Sequence, residues 1–281
     1  MKLKMYFMLM AIGLLGFSLQ SCDDDDDNIK VPAELQNALY NKYPTAQWVE
    51  WETEGSYYVA DFYYNNWEAE AWFTRDGIWQ MTETDLPFND LPSAVRNAFQ
   101  NSTYAQWRVD DVDMLERTGL EVFYVIEVES GNMETDLHYS QDGILLKELT
   151  DGGGNSYWPP VQPDNSVMNS VRDFINEHYA DARIIEIDQE QGNIEVDIIH
   201  ENRNKDVTFD TQGNWLSTSW DLFYNELPQA VSQAVQTAYP GYRLDDADYV
   251  ETPAGSYYLV ELENGGPDIY VRVTENGEIL E

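Results

Sequence analysis

The chain is poor in the residues on which most protein chemistry depends. Its 281 residues include one cysteine, three histidines and 15 lysines plus arginines, set against 52 aspartates plus glutamates. A single cysteine excludes an intramolecular disulfide framework and any cysteine-rich metal site. The histidines, His138, His178 and His200, stand more than twenty residues apart and form neither an HExxH nor a paired-ligand spacing. Each is therefore read as a solvated or structural residue, and no metal is expected from them. The shortage of basic side chains leaves a formal net charge of -37, which repels nucleic-acid phosphates and anionic headgroups, so no nucleic-acid partner is expected. As a solubility device that charge suits an exported protein. Also missing are a GxSxG elbow, a P-loop and a GxGxxG after a strand; Gly152 to Gly154 belong to a loop. No cofactor and no enzymatic activity are expected.

Long apolar runs are equally scarce. The single one, Met5 to Leu19, is fifteen uncharged residues behind Lys2 and Lys4, and it ends in Leu19-Gln20-Ser21-Cys22 followed by five aspartates. A spanning helix needs about 20 apolar residues, so the segment reads as an export leader. It resembles a bacterial lipoprotein signal, with Ser21 at a small-residue position and Gln20 as a departure. That resemblance implies a signal peptide over residues 1–21, lipid attachment at Cys22 and an acidic tether over 22–30. Each buried methylene of an acyl chain contributes about 0.8 kcal/mol, so several chains on Cys22 anchor the protein. Asp23, Asp24, Asp25, Asp26 and Asp27 resemble an export tag for the outer face of the outer membrane, against which stand a plain solvated spacer and a periplasm-facing location. An outer-membrane lipoprotein displayed at the surface is the preferred expectation.

What the sequence has in plenty is self-similarity. Val31-Pro32-Ala33-Glu34-Leu35-Gln36-Asn37-Ala38-Leu39 returns in type from Leu91 to Phe99 and from Leu227 to Val235, with a fainter copy from Val167 to Tyr179 that has Met168 in place of the proline. Proline suits a helix start, and the apolar residues three, six and seven positions later share one face. Tyr43-Pro44 and Tyr239-Pro240 end two of these helices, since the residue before a proline is pushed out of the helical region. Alternating runs follow each helix, among them Ser56 to Tyr64, Leu120 to Glu129, Asn193 to Ile199 and Ser256 to Leu262. Each copy closes on a turn glycine, Gly77, Gly143, Gly213 and Gly277, at 45, 51, 45 and 49 residues from the helix start. The fold class is thus α+β: four repeats of one helix plus antiparallel strands, with helices on one face of each sheet. One copy makes a thin core, so copies pair into domains over 31–150 and 166–281, joined by the Gly/Pro-rich linker 151–165.

These features, together with the Tyr-Pro pairs, the aromatic strands and the leader, resemble the PepSY-like, beta-lactamase-inhibitor-like family of exported bacterial proteins. The resemblance covers nearly all of residues 31 to 281 and is one of residue type. It implies an open sheet face that binds a protein. The third copy departs most, with Met168 and Ala180 in place of prolines and more aliphatic strands.

Strand alternation assigns the faces. Tyr58, Ala60 and Phe62, Tyr124, Ile126 and Val128, Ile194, Val196 and Ile198, and Tyr258, Val260 and Leu262 should pack on the helices. The opposite row is polar in the third copy, at Glu195 and Asp197, and aromatic or aliphatic in the others. Tyr57, Val59, Trp72, Phe123, Val125, Tyr257, Leu259 and Tyr270 are therefore the candidate binding face, with Asp61, Glu127, Glu261, His138 and Arg272 among them. The alternative is that this row packs against another copy or the other domain. Asp110-Asp111-Val112-Asp113 and Asp245-Asp246-Ala247-Asp248 lack the order of an EF-hand loop and read as solvated strand edges in preference to calcium ligands. Glu68 and Glu70 read as the polar half of an alternating strand in preference to a catalytic pair. The expected function is binding of an unknown protein or peptide, inhibitor-like in kind. The alternative is a glycan-binding accessory lipoprotein that stacks sugars on Trp72 and its neighbours.

Overall fold

The computed structural model describes residues 30–150, 165–190, 192–223 and 225–280. The leader, Cys22, the run Asp23 to Asp27 and residues 151–164 of the expected linker lie outside them. The described chain is two antiparallel sheets of eight strands, each in sequential order. The first sheet holds β1 (Gln47–Glu54), β2 (Tyr57–Tyr64), β3 (Trp67–Thr74), β4 (Trp79–Asp85), β5 (Arg108–Arg117), β6 (Phe123–Ser130), β7 (Met133–Ser140) and β8 (Leu145–Thr150). Its helices are α1 (Ala33–Lys42) and α2 (Ser93–Gln100). The second holds β9 (Arg183–Glu190), β10 (Asn193–His200), β11 (Arg203–Asp210), β12 (Trp215–Asp221), β13 (Arg243–Thr252), β14 (Gly255–Glu263), β15 (Ile269–Val273) and β16 (Ile279–Leu280), with helices α3 (Asn165–His178) and α4 (Gln229–Ala238). Two repeated domains of two units each result.

Proline sets three of the helix starts. Pro32, Pro92 and Pro228 each cap the N-terminus of the helix that begins at the next residue, where the missing N–H costs nothing. Without a proline, α3 begins two residues before the expected Val167 and carries Met168 inside it, 4% exposed. The apolar stripes land as the spacing predicts. Leu35 and Leu39, Val95 and Phe99, Val171 and Ile175, and Val231 and Val235 are buried against the four predicted inner rows of strand residues.

Each unit is locked by its turn glycine, and the first and third units by a second device as well. The turn glycines Gly77, Gly143, Gly213 and Gly277 all have φ between 77° and 84°, and each turn lies on the first turn of its own helix. A Cβ added to Gly143 would stand 2.5 Å from the Ala94 carbonyl oxygen, and one on Gly277 2.7 Å from that of Ala230. Glycine is needed there for its backbone and for its lack of bulk. The second lock is a buried hydroxyl node. Tyr43 donates to Thr82 Oγ1 at 2.7 Å and Trp79 Nε1 donates to the same oxygen at 2.8 Å. In the second domain Tyr179 and Trp215 do the same to Thr218, at 2.7 and 3.0 Å.

A fifth core lies between the domains. It joins Val59, Trp72, Met81, Leu115, Phe123 and Val125 of the first sheet, on the side away from its helices, to Ile185 and Ile199 of the second, with Tyr57, Ile144 and Leu146 at its margin. Arg117, 6% exposed, crosses the boundary to bond Glu186 at 3.0 Å and the Ile185 carbonyl at 2.6 Å, and its guanidinium lies 4.7 Å from the centre of the Phe123 ring. The Glu121 N–H bonds the Ile184 carbonyl, the Asn204 amide bonds the Leu146 carbonyl, and Arg183 pairs with Asp142.

Candidate interaction face

The eight residues expected on one open face divide between the domains. Val59, Trp72, Phe123 and Val125 are at most 4% exposed. Expecting them free in solvent is corrected by the structure: the second domain's Ile185 and Ile199 occupy that side of the first sheet. Trp72 therefore has no face to offer a sugar, and stacking through it, the basis of the glycan alternative, does not fit. Tyr57 is half-buried at the margin of the same core. His138, stacked on Phe123, is buried too, and burial holds its imidazole neutral down to about pH 4. In the second domain Tyr257 and Leu259 are half-buried and Tyr270 is 63% exposed, so the reverse face remains accessible there.

The two acidic runs are corrected in another way. They lie on β5 and β13, in the middle of their sheets, and Asp113 is buried. Strand register lines their carboxylates up with others on the reverse face. In the first sheet Glu50, Asp61, Glu70 and Glu83 stand opposite one another across β1 to β4, and Asp85 faces Asp113. In the second, Glu186, Asp197 and Asp206 cross β9 to β11, Asp221 faces Asp248, and Asp246 faces Glu261.

Like charges directly opposite in a sheet repel, and this crowding together with burial raises the pKa of several of these carboxyls. Burial, then Glu52, raises Asp61 to about 6, and burial, then Asp61, raises Glu70 to about 8. Asp206 rises to about 6 through burial and Glu195, and Asp248 to about 7 through burial and its hydrogen bond to Asp221. Burial lifts Asp113 and Asp197 well above the carboxylate range, with Glu83 and Asp206 adding to it. Carboxylate oxygens come within 4.8 Å of one another in two groups, Glu195 with Asp197 and Asp206, and Asp221 with Asp246 and Asp248. Glu68 and Glu70 lie on the same face of β3 as Trp72, and Glu68 accepts a hydrogen bond from Tyr63.

The reading of the residues missed several participants. Arg117 carries a signal in hindsight, as a basic residue closing a strand of acids. The paired isoleucines Ile184-Ile185 and Ile198-Ile199 carry another: one of each must face away from the helix. Trp48, 75% exposed with a φ of 51° at a bulge, lies edge-on to Tyr63 and gave no such signal.

Comparison with known proteins places these features in a wider group. A family model described as "Putative beta-lactamase-inhibitor-like, PepSY-like" matches residues 56–147 and 194–281, more than half of the chain. Among solved structures, a BLIP-like protein from Bacteroides fragilis is 42% identical, matches 49% of this chain and 100% of its own, and has a TM-score of 0.45. A DUF2874 family protein from Bacteroides ovatus is 36% identical over 45% of this chain and 96% of its own, with a TM-score of 0.42. A structure titled "putative periplasmic proteins", from Bacteroides eggerthii, is 32% identical over 42% and 88%, with a TM-score of 0.40. No curated protein matches. Among the described residues no helix is long and apolar enough to cross a membrane.

Proposed function

Because the chain belongs to the beta-lactamase-inhibitor-like, PepSY-like family, we propose that it is an exported, non-catalytic binding protein whose contact surface is the reverse face of the second domain. One observation carries this reading. The apolar row of the first domain's reverse face is covered by the second domain, whereas β13 to β15 present Tyr257, Leu259 and the 63% exposed Tyr270 beside Glu261 and Asp248. Aromatic side chains next to acids, with little lysine, are the composition of interface centres. The partner is a protein or peptide, held by an inhibitor-like sheet surface.

The attachment belongs to the same proposal. Lipid on Cys22, behind the leader of residues 1–21, tethers the domains to the outer membrane, and the run Asp23 to Asp27 directs them to the cell surface. The relative described as periplasmic supports export in general. Photo-crosslinking tests the surface: a benzoylphenylalanine at position 270 should yield an adduct with a partner, and one at position 40, on α1, should not. Adducts from position 40 alone would discard the reading. Labelled palmitate should enter the wild-type chain and not Cys22→Ser, whose protein should leave the membrane fraction.

A further inference from the structure

The backbone at the edge of a sheet needs a partner or a guard, and among the described residues three of the four sheet edges have one. β1 is bulged near its start, with Trp48 in the left-handed region at φ 51°. At β8 the Asn204 amide bonds the Leu146 carbonyl at 3.2 Å, and at β9 the Ile184 carbonyl accepts the Glu121 N–H at 3.0 Å, both from across the interdomain seam. The fourth edge differs, because β16 pairs with β15 only at Arg272 and Val273. The Thr274 N–H bonds the Glu278 carbonyl, and alternate residues of an antiparallel strand direct N–H and C=O to the same side. Arg272 and Tyr270 therefore point theirs toward the β16 side. Tyr270 lies beyond the paired stretch, so its N–H and C=O face an open edge.

The sister units show what fills such a place. In each of the first three, a tyrosine just after the helix donates its hydroxyl to the closing strand, at the fifth residue past the turn glycine: Tyr43 to Thr82 at 2.7 Å, Tyr104 to Glu148 at 2.9 Å and Tyr179 to Thr218 at 2.7 Å. Those acceptors stand opposite Ala71, Leu137 and Val207, each six residues before its glycine. In the fourth unit Tyr239 follows α4 at the corresponding position, and Val271 precedes Gly277 by the same six residues. No described strand lies opposite Val271 on that side, and among the described residues the Tyr239 hydroxyl donates no hydrogen bond. The open edge and the idle hydroxyl belong to one strand-shaped place.

We propose that β15 takes up an extended strand of a partner protein, antiparallel to it and in line with β16, with a hydroxyl-bearing side chain opposite Val271 for Tyr239 and basic side chains on the other face. The hydroxyl follows from Thr82 and Thr218, which meet the equivalent tyrosines. The basic residues follow from charge complementarity. A residue paired with Tyr270 shares its face of the sheet, where Glu261 accepts from the Tyr270 hydroxyl at 3.0 Å and Asp268 and Asp246 lie near enough to act on it. Arg272 is drawn aside there, its guanidinium 5.4 Å from the centre of the Tyr257 ring. Backbone pairing supplies affinity in this mode, and alternate side chains supply the choice of partner. A net charge of -37 repels a second copy of the chain from the same edge. The place is a sheet edge, so it is independent of the reverse-face reading.

Fluorescence anisotropy with the full chain tests this, using labelled decapeptides. One that alternates threonine with lysine should bind, and its counterpart with glutamate for lysine should bind about tenfold more weakly or worse. When the threonines face Tyr239, the lysine amides face β15. Methylating the lysine amide nitrogens should therefore abolish binding, and methylating those of the threonines should cost less than about threefold. In the protein, Tyr270→Pro removes an N–H that β14 does not use and should weaken binding about tenfold or more, whereas Tyr270→Val should cost less than about threefold. Tyr239→Phe should weaken it about two- to tenfold, the worth of one hydrogen bond. Binding that ignores both Tyr270→Pro and the methylated lysines overturns the proposal. If Tyr257→Ala with Leu259→Ala abolishes that binding instead, the reverse face is the site and only the edge is refuted. Failure of the lysine probe to bind, equal binding of the glutamate probe, or dimers in sedimentation that Tyr270→Pro disperses would each overturn it too. Should Tyr270→Pro fold poorly, hydrogen exchange on the wild-type chain decides: the lysine probe should slow the Tyr270 amide about tenfold or more, and an unchanged rate sinks the proposal.

Discussion

Ile199→Ala is the sharpest trial of the interdomain core. Ile199 is 3% exposed and turns away from the α3 side of its sheet, so its apolar company is Ile185 and the first domain's Trp72, Phe123 and their neighbours. Truncating a buried isoleucine to alanine costs about 2–5 kcal/mol, the spread reflecting how far the site collapses. In a folded unit of this size each kcal/mol lowers Tm by about 2–4 °C, so a loss of about 3 kcal/mol should appear as a drop of about 6–12 °C in differential scanning calorimetry. Trp72→Ala approaches the same core from the other domain and should cost about 3–5 kcal/mol. Because both residues line one core, the double variant should lose less than the two single losses combined. Leu216→Ala, at a 39% exposed position of the second sheet, should change stability by about 0.5 kcal/mol or less. Ile199→Ala matching Leu216→Ala, or strictly additive losses with Trp72→Ala, would refute a shared core.

Three further outcomes follow from features described above. Gly143→Ala should lose at least about 2 kcal/mol in urea unfolding, through left-handed backbone and contact with Ala94, whereas Gly192→Ala, at φ 88° with open space around it, should lose about half of that. Tyr43→Phe and Tyr179→Phe should each cost about 1–2 kcal/mol by the same measurement, since each removes one bond to a buried threonine in an equivalent node. The folded-state pKa of Glu70, about 8, lies above its ordinary 4.5. Between those values the folded chain keeps a proton that the unfolded chain releases, so stability is present below about pH 4.5 and drains away as pH rises to 8. Asp61, Asp206 and Asp248 add the same trend up to about 6, 6 and 7. His138, lowered to about 4 from 6.5, opposes it only between those two values. Thermal melts should therefore show Tm falling from pH 6.5 to pH 8, and Glu70→Gln should flatten the fall.

Much of this architecture was legible beforehand because it is set locally. Proline at the helix starts, apolar residues three and seven positions on, and a glycine that only a left-handed turn requires are properties of a few consecutive residues. They placed three helix starts, the inner strand rows and the four turns. Alternation also showed that the outer rows of three units are apolar, yet it is silent on what covers a row. The cover comes from Ile185 and Ile199, more than 100 residues away from Val59 and Trp72, and Ile185 faces outward only because it is the extra residue of a bulge opposite Asp197 and Ile198. The acidic runs were misplaced at strand edges for a related reason. The order of strands across a sheet is fixed by pairing, and pairing put β5 and β13 in the interior, where Asp113 is buried and its carboxyl pKa is raised. The candidate surface was thus half legible: its composition was visible, and its division between a seam and an accessible side was not.

The seam between the sheets makes the duplicated halves unequal in what each would do if cut loose. Released by proteolysis, the leading half would present a bare tryptophan, phenylalanine, leucine, methionine and two valines to water, a continuous greasy area of the kind that drives self-association. The trailing half would uncover chiefly Ile185 and Ile199 in an acidic surround. Processing or truncation at the junction would therefore leave one sticky fragment and one that stays dispersed, and the trailing half acts as the leading half's permanent chaperone.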